Sequence, residues 1–127
     1  MDYVNGQFTR PPEPPVDAVA KIAAIRYRHE TAGIVVNGVH IDTSRESQAL
    51  ITAATLSAVI DPTYTCTWKA ICGPVELSAE QLIHLATAVR THVQASFDRE
   101  CTLLRALTEG SYTPEMLEQG WPSAKGT

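Results

Sequence analysis

The sequence predicts an α+β domain in which two β-hairpins, forming a small antiparallel sheet, pack with three helices, the last of them long and followed by a short terminal helix. Three observations carry this. Asn37-Gly38 sits between two β-branched runs, the strongest short-range signal for a two-residue hairpin turn. The segment Thr63 to Ala70 alternates apolar and polar residues, is broken by Gly73-Pro74 and is followed by Val75-Glu76-Leu77, which reads as a second hairpin. Three further segments repeat apolar residues near helical spacing.

In chain order, Arg10-Pro11-Pro12-Glu13-Pro14-Pro15 closes a Pro-rich arm over 1–15, because proline fixes φ and removes a backbone donor. Val16, Val19, Ala20, Ile22, Ala23 and Tyr27 then predict a helix over 15–31 that ends at Gly33. The Asn37-Gly38 turn sets the register of the first hairpin: Val36 faces Val39, Val35 faces His40 and Ile34 faces Ile41. Ile34, Val36, Val39 and Ile41 share the face expected to be buried, and Val35 and His40 lie on the other. Thr43-Ser44-Arg45-Glu46 has the T-x-x-E form of a capping box and opens a second helix over 44–60. Its packing face is read as Ala49, Leu50, Ala53, Ala54, Ser57 and Ile60, and Asp61-Pro62 stops it.

In the second hairpin Tyr64, Cys66, Trp68 and Ala70 share a face with Val75 and Leu77, while Lys69 and Glu76 lie on the opposite one. Ser78-Ala79-Glu80-Gln81 is a second capping box. Behind it Leu82, Ala86, Val89, Val93, Phe97, Cys101, Leu104 and Leu107 form an apolar stripe that ends at Gly110. Such a helix has about 30 residues and a length of about 45 Å, more than a compact domain of this size spans. Its C-terminal half therefore projects, packs on another subunit, or is covered by the last segment. There Thr113-Pro114-Glu115-Met116-Leu117 has the form of a short helix start, with Pro at the first helical position. Residues 16–122 are expected to form one domain, and 123–127 a disordered tail.

The chain has 127 residues, 44% of them hydrophobic and 19% charged, with a net charge of −4. That is one domain with a real core, and its sign argues against nucleic-acid or anionic-membrane binding. Three cysteines, without C-x-x-C spacing, read as reduced thiols of an intracellular-type protein. The start of the chain lacks the form of a signal peptide, and no stretch is long and apolar enough to span a bilayer.

Candidate chemistry is sparse. His84 and His92 are spaced by eight rather than four on one helix, so no metal site is expected, and no cofactor. His92 and Glu100 read as a solvated or hydrogen-bonded pair. Cys66 and Cys72 read as small buried hydrophobes, and Cys101 lies on the apolar stripe, away from the helix N-termini that activate thiols. A hydrolase using Ser44 or Cys101 is disfavoured, because capping already accounts for Thr43, Ser44 and Glu46 and no G-x-S-x-G elbow is present. The better handle is surface. Phe97, Leu103, Leu104, Leu107, Met116, Leu117 and Trp121 bring large apolar groups to the far end of the long helix, where either the terminal helix buries them or a partner or second copy does.

Asp42-Thr43-Ser44-Arg45-Glu46-Ser47-Gln48-Ala49-Leu50-Ile51, Thr67-Trp68-Lys69-Ala70 and the run Leu82 to Val93 with His92-Val93-Gln94-Ala95-Ser96-Phe97-Asp98-Arg99-Glu100 together resemble a domain family of unknown function found in tailed phages and prophages. The resemblance covers roughly residues 30–108. Ser44 stands where the family tends to have Asp, which keeps a capping residue. The resemblance implies a non-enzymatic tail-fibre accessory protein, a fibre-assembly chaperone or a minor tail component, found in the host bacterial cytoplasm during assembly or in the virion tail. It carries over no catalytic residues. A tail-fibre protein or other tail component is the implied partner, with a homo-oligomer as a further expectation. Contact residues are expected at Val35, His40 and Lys69 on the outer sheet face and at Phe97, Leu104, Leu107, Met116 and Trp121 along the helical end. The alternative is a small phage protein that binds and inhibits a host defence or regulatory factor.

Overall fold

A computed structural model describes residues 3–4, 7–8 and 15–124. Its elements are β1 (Tyr3–Val4), β2 (Gln7–Phe8), α1 (Pro15–Glu30), β3 (Ile34–Val36), β4 (Val39–Ile41), α2 (Arg45–Ile60), β5 (Thr65–Ala70), β6 (Gly73–Ser78), α3 (Ala79–Glu109) and a 3-10 helix (Pro114–Glu118). The fold is α+β, with both predicted hairpins and a long C-terminal helix. Within the N-terminal arm, β1 and β2 pair antiparallel. The Arg10-to-Pro14 part of the arm lies outside the described residues, as do residues 125–127 of the tail.

Local chemistry explains each element. Asn37 (φ 51) and Gly38 (φ 78) both take positive φ, as the favoured two-residue hairpin turn requires, and the register is Ile34↔Ile41, Val35↔His40, Val36↔Val39. In the second hairpin Cys66 opposes Leu77, Thr67 opposes Glu76 and Trp68 opposes Val75. The helix α3 opens on the full capping box, with Gln81 N–H donating to Ser78 Oγ and Ser78 N–H donating to Gln81 Oε1, and it ends at Gly110.

α3 is the spine. Both α1 and α2 pack along it, α2 on its N-terminal half and α1 antiparallel on its C-terminal half. The hairpins close the N-terminal half from another side: Ile34, Val36, Ile41, Ile51, Leu85, Ala88, Val89 and Val93 form the main core, with Val39, Trp68 and Leu77 against it. A smaller core joins Ala58, Ala79 and Leu82 to Ala54, Tyr64 and Cys66. The backbone edges of the first hairpin are also occupied. Val35 N–H donates to the Ala124 carbonyl at 2.9 Å, and the His40 carbonyl accepts from Ile71 N–H at 3.3 Å.

Five sequence expectations change. The excess length of α3 is covered by α1 as well as by the expected last segment, which Arg99 holds, so Leu103 and Ala106 are buried without a second subunit. The capping box predicted on Thr43 does not form: Ser44 is the N-cap, accepting from Ser47 N–H at 3.2 Å, and Ser44 N–H donates to Asp42 rather than to a side chain at the third helical position. Thr43 Oγ1 is engaged elsewhere, donating to the Glu30 carbonyl at 2.7 Å and accepting from Gly33 N–H at 2.9 Å. The inward face of α2 is Ile51 and Ala58 with Ala54, rather than the stripe through Leu50 and Ile60, which is exposed. The terminal helix is 3-10, a single short element that Gly120 follows. Finally, the tail starts ordered at Ser123 and Ala124, because the open edge of β3 takes the Ala124 carbonyl.

Candidate functional site

Two places combine chemistry with position. The first is a buried charge cluster at the junction of the three helices. Glu30 closes α1 with no exposed surface, and its carboxylate accepts from Arg26 Nη1 at 2.6 Å, from Arg45 Nη2 at 3.0 Å, from Gln48 Nε2 at 3.0 Å and from Arg45 Nε. Arg26 also reaches α3, donating to Glu100 at 3.2 Å, and its guanidinium lies over the Phe97 ring at 4.6 Å. Burial alone would raise the Glu30 carboxyl, but the hydrogen bonds from Arg45, Gln48 and Arg26 outweigh it and hold it below the ordinary glutamate value. With these donors converging on both of its oxygens, Glu30 ties α1 to α2, and Arg26 extends the network to Glu100 of α3.

Beside it, His92 is buried and its Nε2 lies 2.8 Å from the His29 carbonyl, so Nε2 carries the proton. The His29 ring stacks on Trp121 at 5.1 Å and 6°. Burial, then Arg28, lower the His29 pKa against an opposing pull from Glu118. Both shifts run downward, so the unfolded chain binds more protons and stability falls on acidification. The His29 contribution is fully present above the ordinary histidine value and lost as the pH drops through its lowered one; the Glu30 contribution is lost in the same sense below the glutamate range. Urea midpoints measured from about pH 8 to about pH 3 are expected to fall in two stages, with Glu30→Gln reducing the second, to which the lowered Asp42 and Asp61 carboxyls also contribute.

The second place is an apolar groove of about 170 Å³ between the hairpins and α3. Val36, Val39, Ile41, Trp68, Val75 and Leu77 form its walls and Leu85 its floor, with Asn37, Glu76, Gln81 and His84 at the rim. Drug-sized ligands occupy about 300–1,000 Å³, whereas a cavity of about 150 Å³ holds one benzene-sized group. The groove therefore fits one apolar side chain.

The expected contact residues fall in three settings. Val35 is half-buried under the tail, and His40 and Lys69 are exposed, on two separate two-stranded sheets rather than on the one sheet expected. Phe97, Leu104 and Leu107 are half-buried in the helical seam. Met116 and Trp121 belong to a C-terminal segment strapped onto α3: Arg99 donates to the Met116 and Gln119 carbonyls, and Trp121 Nε1 donates to the Leu117 carbonyl. Gly120 takes φ 80, a left-handed conformation that favours glycine, and the Arg99 side chain packs against it.

Other expectations shift as well. Glu100 pairs with Arg26, and His92 with the His29 backbone, so the two do not meet. Ser44 Oγ donates to Asp42 at 2.8 Å as part of the cap. Cys72 and Cys101 are exposed rather than buried, and only Cys66 is partly covered; burial, then Glu76, push its thiol up, away from a reactive thiolate. Among the described residues no three metal-ligating side chains cluster, and no helix is long and apolar enough to cross a membrane. Residue-by-residue reading missed Glu30, Arg26 and the groove; the one local signal was an acid in the last turn of a helix, where the helix dipole disfavours it.

Fold and cluster together define a small α+β domain locked by a buried carboxylate, in which Arg45, Gln48, His92, Ser96, Phe97 and Glu100 of the quoted motifs are architectural. The chain belongs to the domain family of unknown function DUF4376, which it matches over residues 13–118. No curated protein and no solved structure matches it.

Proposed function

We propose that this domain is a non-enzymatic protein-binding module that serves a phage tail-fibre protein or another tail component, as an assembly chaperone or a minor tail part. The observation that carries protein binding is the groove: about 170 Å³, apolar in its walls, polar at its rim, and sized for one inserted side chain of a partner. The tail as partner rests on the motif resemblance alone. Co-expression and co-purification with the tail-fibre protein of the same genome tests the reading. Association is expected at micromolar concentration. Val39→Phe, at a half-buried hairpin position, fills the groove and is expected to weaken binding at least tenfold with an unchanged circular dichroism spectrum. No association, and no effect on fibre solubility, would remove the proposal; capture of a host protein by a chain absent from virions would replace it with host-factor inhibition.

A further inference from the structure

The outer face of α2 carries no charge. From Ser47 to Ile60 there is no Asp, Glu, Lys or Arg, although the face opposite Ile51 and Ala58 lies in solvent. Leu50 is 56% exposed, Leu56 61%, Val59 62% and Ile60 73%. Ala49, Ala53, Leu56 and Ile60 succeed one another at steps of four, three and four, the spacing of a coiled-coil seam. Isolated exposed apolar residues need no explanation, but a contiguous uncharged strip on a surface helix does.

We propose that this strip is a self-association surface on which a second copy of the chain packs with its α2 antiparallel. The choice of occupant follows from the order of sizes along the strip. Antiparallel pairing about a two-fold axis midway between positions 53 and 56 sets Ala53 of one copy against Leu56 of the other and Ala49 against Ile60, with Leu50 on one flank of the seam and Val59 on the other. Each alanine thus meets a large aliphatic group, the small-against-large interdigitation that close helix packing needs. Parallel pairing would instead set alanine against alanine and leave gaps. The antiparallel arrangement also places each helix N-terminus beside the other's C-terminus, which the helix dipoles favour. No charged group is desolvated in the strip, and no like charges face each other there.

The area sets the strength. A helix of 16 residues is about 24 Å long and about 10 Å across, so one side presents roughly 400 Å² and a pair buries roughly 800 Å². That lies well below the standard interface of about 1,600 Å² and calls for a weak dimer, with a Kd on the order of 10–100 μM. None of the residues lining the groove belongs to α2, so the two surfaces can be tested apart.

Analytical ultracentrifugation of the full chain from about 5 to about 500 μM tests this. The mass is expected to rise from one chain towards two. Leu56→Lys and Ala53→Glu, both at exposed or half-exposed positions, are each expected to weaken self-association at least tenfold with unchanged circular dichroism. Mixing these two variants is expected to restore association, because the carboxylate introduced in one copy then faces the ammonium introduced in the other, while the second Ala53–Leu56 contact is native. A wild-type chain that stays monomeric across the range overturns the proposal. So does a dimer that Leu56→Lys leaves intact, or a chain that dimerises only after residues 1–14 are removed. Val39→Phe, in the groove, is expected to leave self-association unchanged, so failure of partner binding and failure of this proposal give different results.

Discussion

Glu30→Gln is expected to lower the stability of the domain by about 3 kcal/mol, a drop of roughly 10 °C in Tm for a chain of this size. The substitution keeps shape and removes charge, so no cavity enters the result. Glutamine brings an NH₂ group to a position ringed by the donors of Arg26, Arg45 and Gln48, and at least one donor pair must face each other or separate. Arg45 has a side chain 55% exposed and can turn to water; Arg26, at 14%, cannot, and retains Glu100 as its carboxylate partner and the Phe97 ring. Breaking a buried pair by removing one partner costs about 3–5 kcal/mol, and the freedom of Arg45 places this case at the lower end. Urea unfolding with an unchanged m-value checks it. A loss below about 1 kcal/mol would mean that the carboxylate is not desolvated in solution.

The network also shows which features were legible in the sequence and which were not. Hairpin register was legible because Asn37-Gly38 admits one turn geometry and the side-chain period of a strand is two. The ends of α3 were legible because caps are local chemistry: Ser78 with Gln81 at one end, Gly110 at the other. The buried faces of the helices were read one step off, for a physical reason. In α3 the seam runs through His92 and Ser96, polar residues that hydrophobic periodicity passes over, and they are buried because the His29 and His92 carbonyls satisfy them. Skipping them moved the predicted stripe onto Cys101, which is exposed. In α2 the two sides are almost equally apolar, so composition could not say that Ile51 and Ala58 face inward while Leu56 and Ile60 face out. Glu30 went unread because its partners come from sequence separations of 4, 15 and 18 residues, a convergence only the tertiary fold creates.

Leu103→Ala is expected to cost about 3–5 kcal/mol, although it lies in the part of α3 that the sequence offered as a partner surface. Leu103 has no exposed surface, and Ala106, one turn on, is also buried. The antiparallel run of α1, fixed by His29 against His92 and Arg26 against Glu100, carries Ile22 and Ala18 onto this stretch of α3, and both are buried in turn. Truncation there leaves a cavity between two helices that the Arg26–Glu100 and His92–His29 contacts hold together, so that they close over it only in part. Leu56→Ala, in contrast, removes the same atoms from an exposed position and is expected to change the stability of the monomer by no more than about 0.5 kcal/mol. Urea unfolding of the two variants at low protein concentration, where self-association does not contribute, separates interior from interface. A small effect at Leu103 would place the end of α3 on the surface, and a large effect at Leu56 in dilute solution would place α2 in the core; the packing of α1 and α2 along α3 requires the opposite in both.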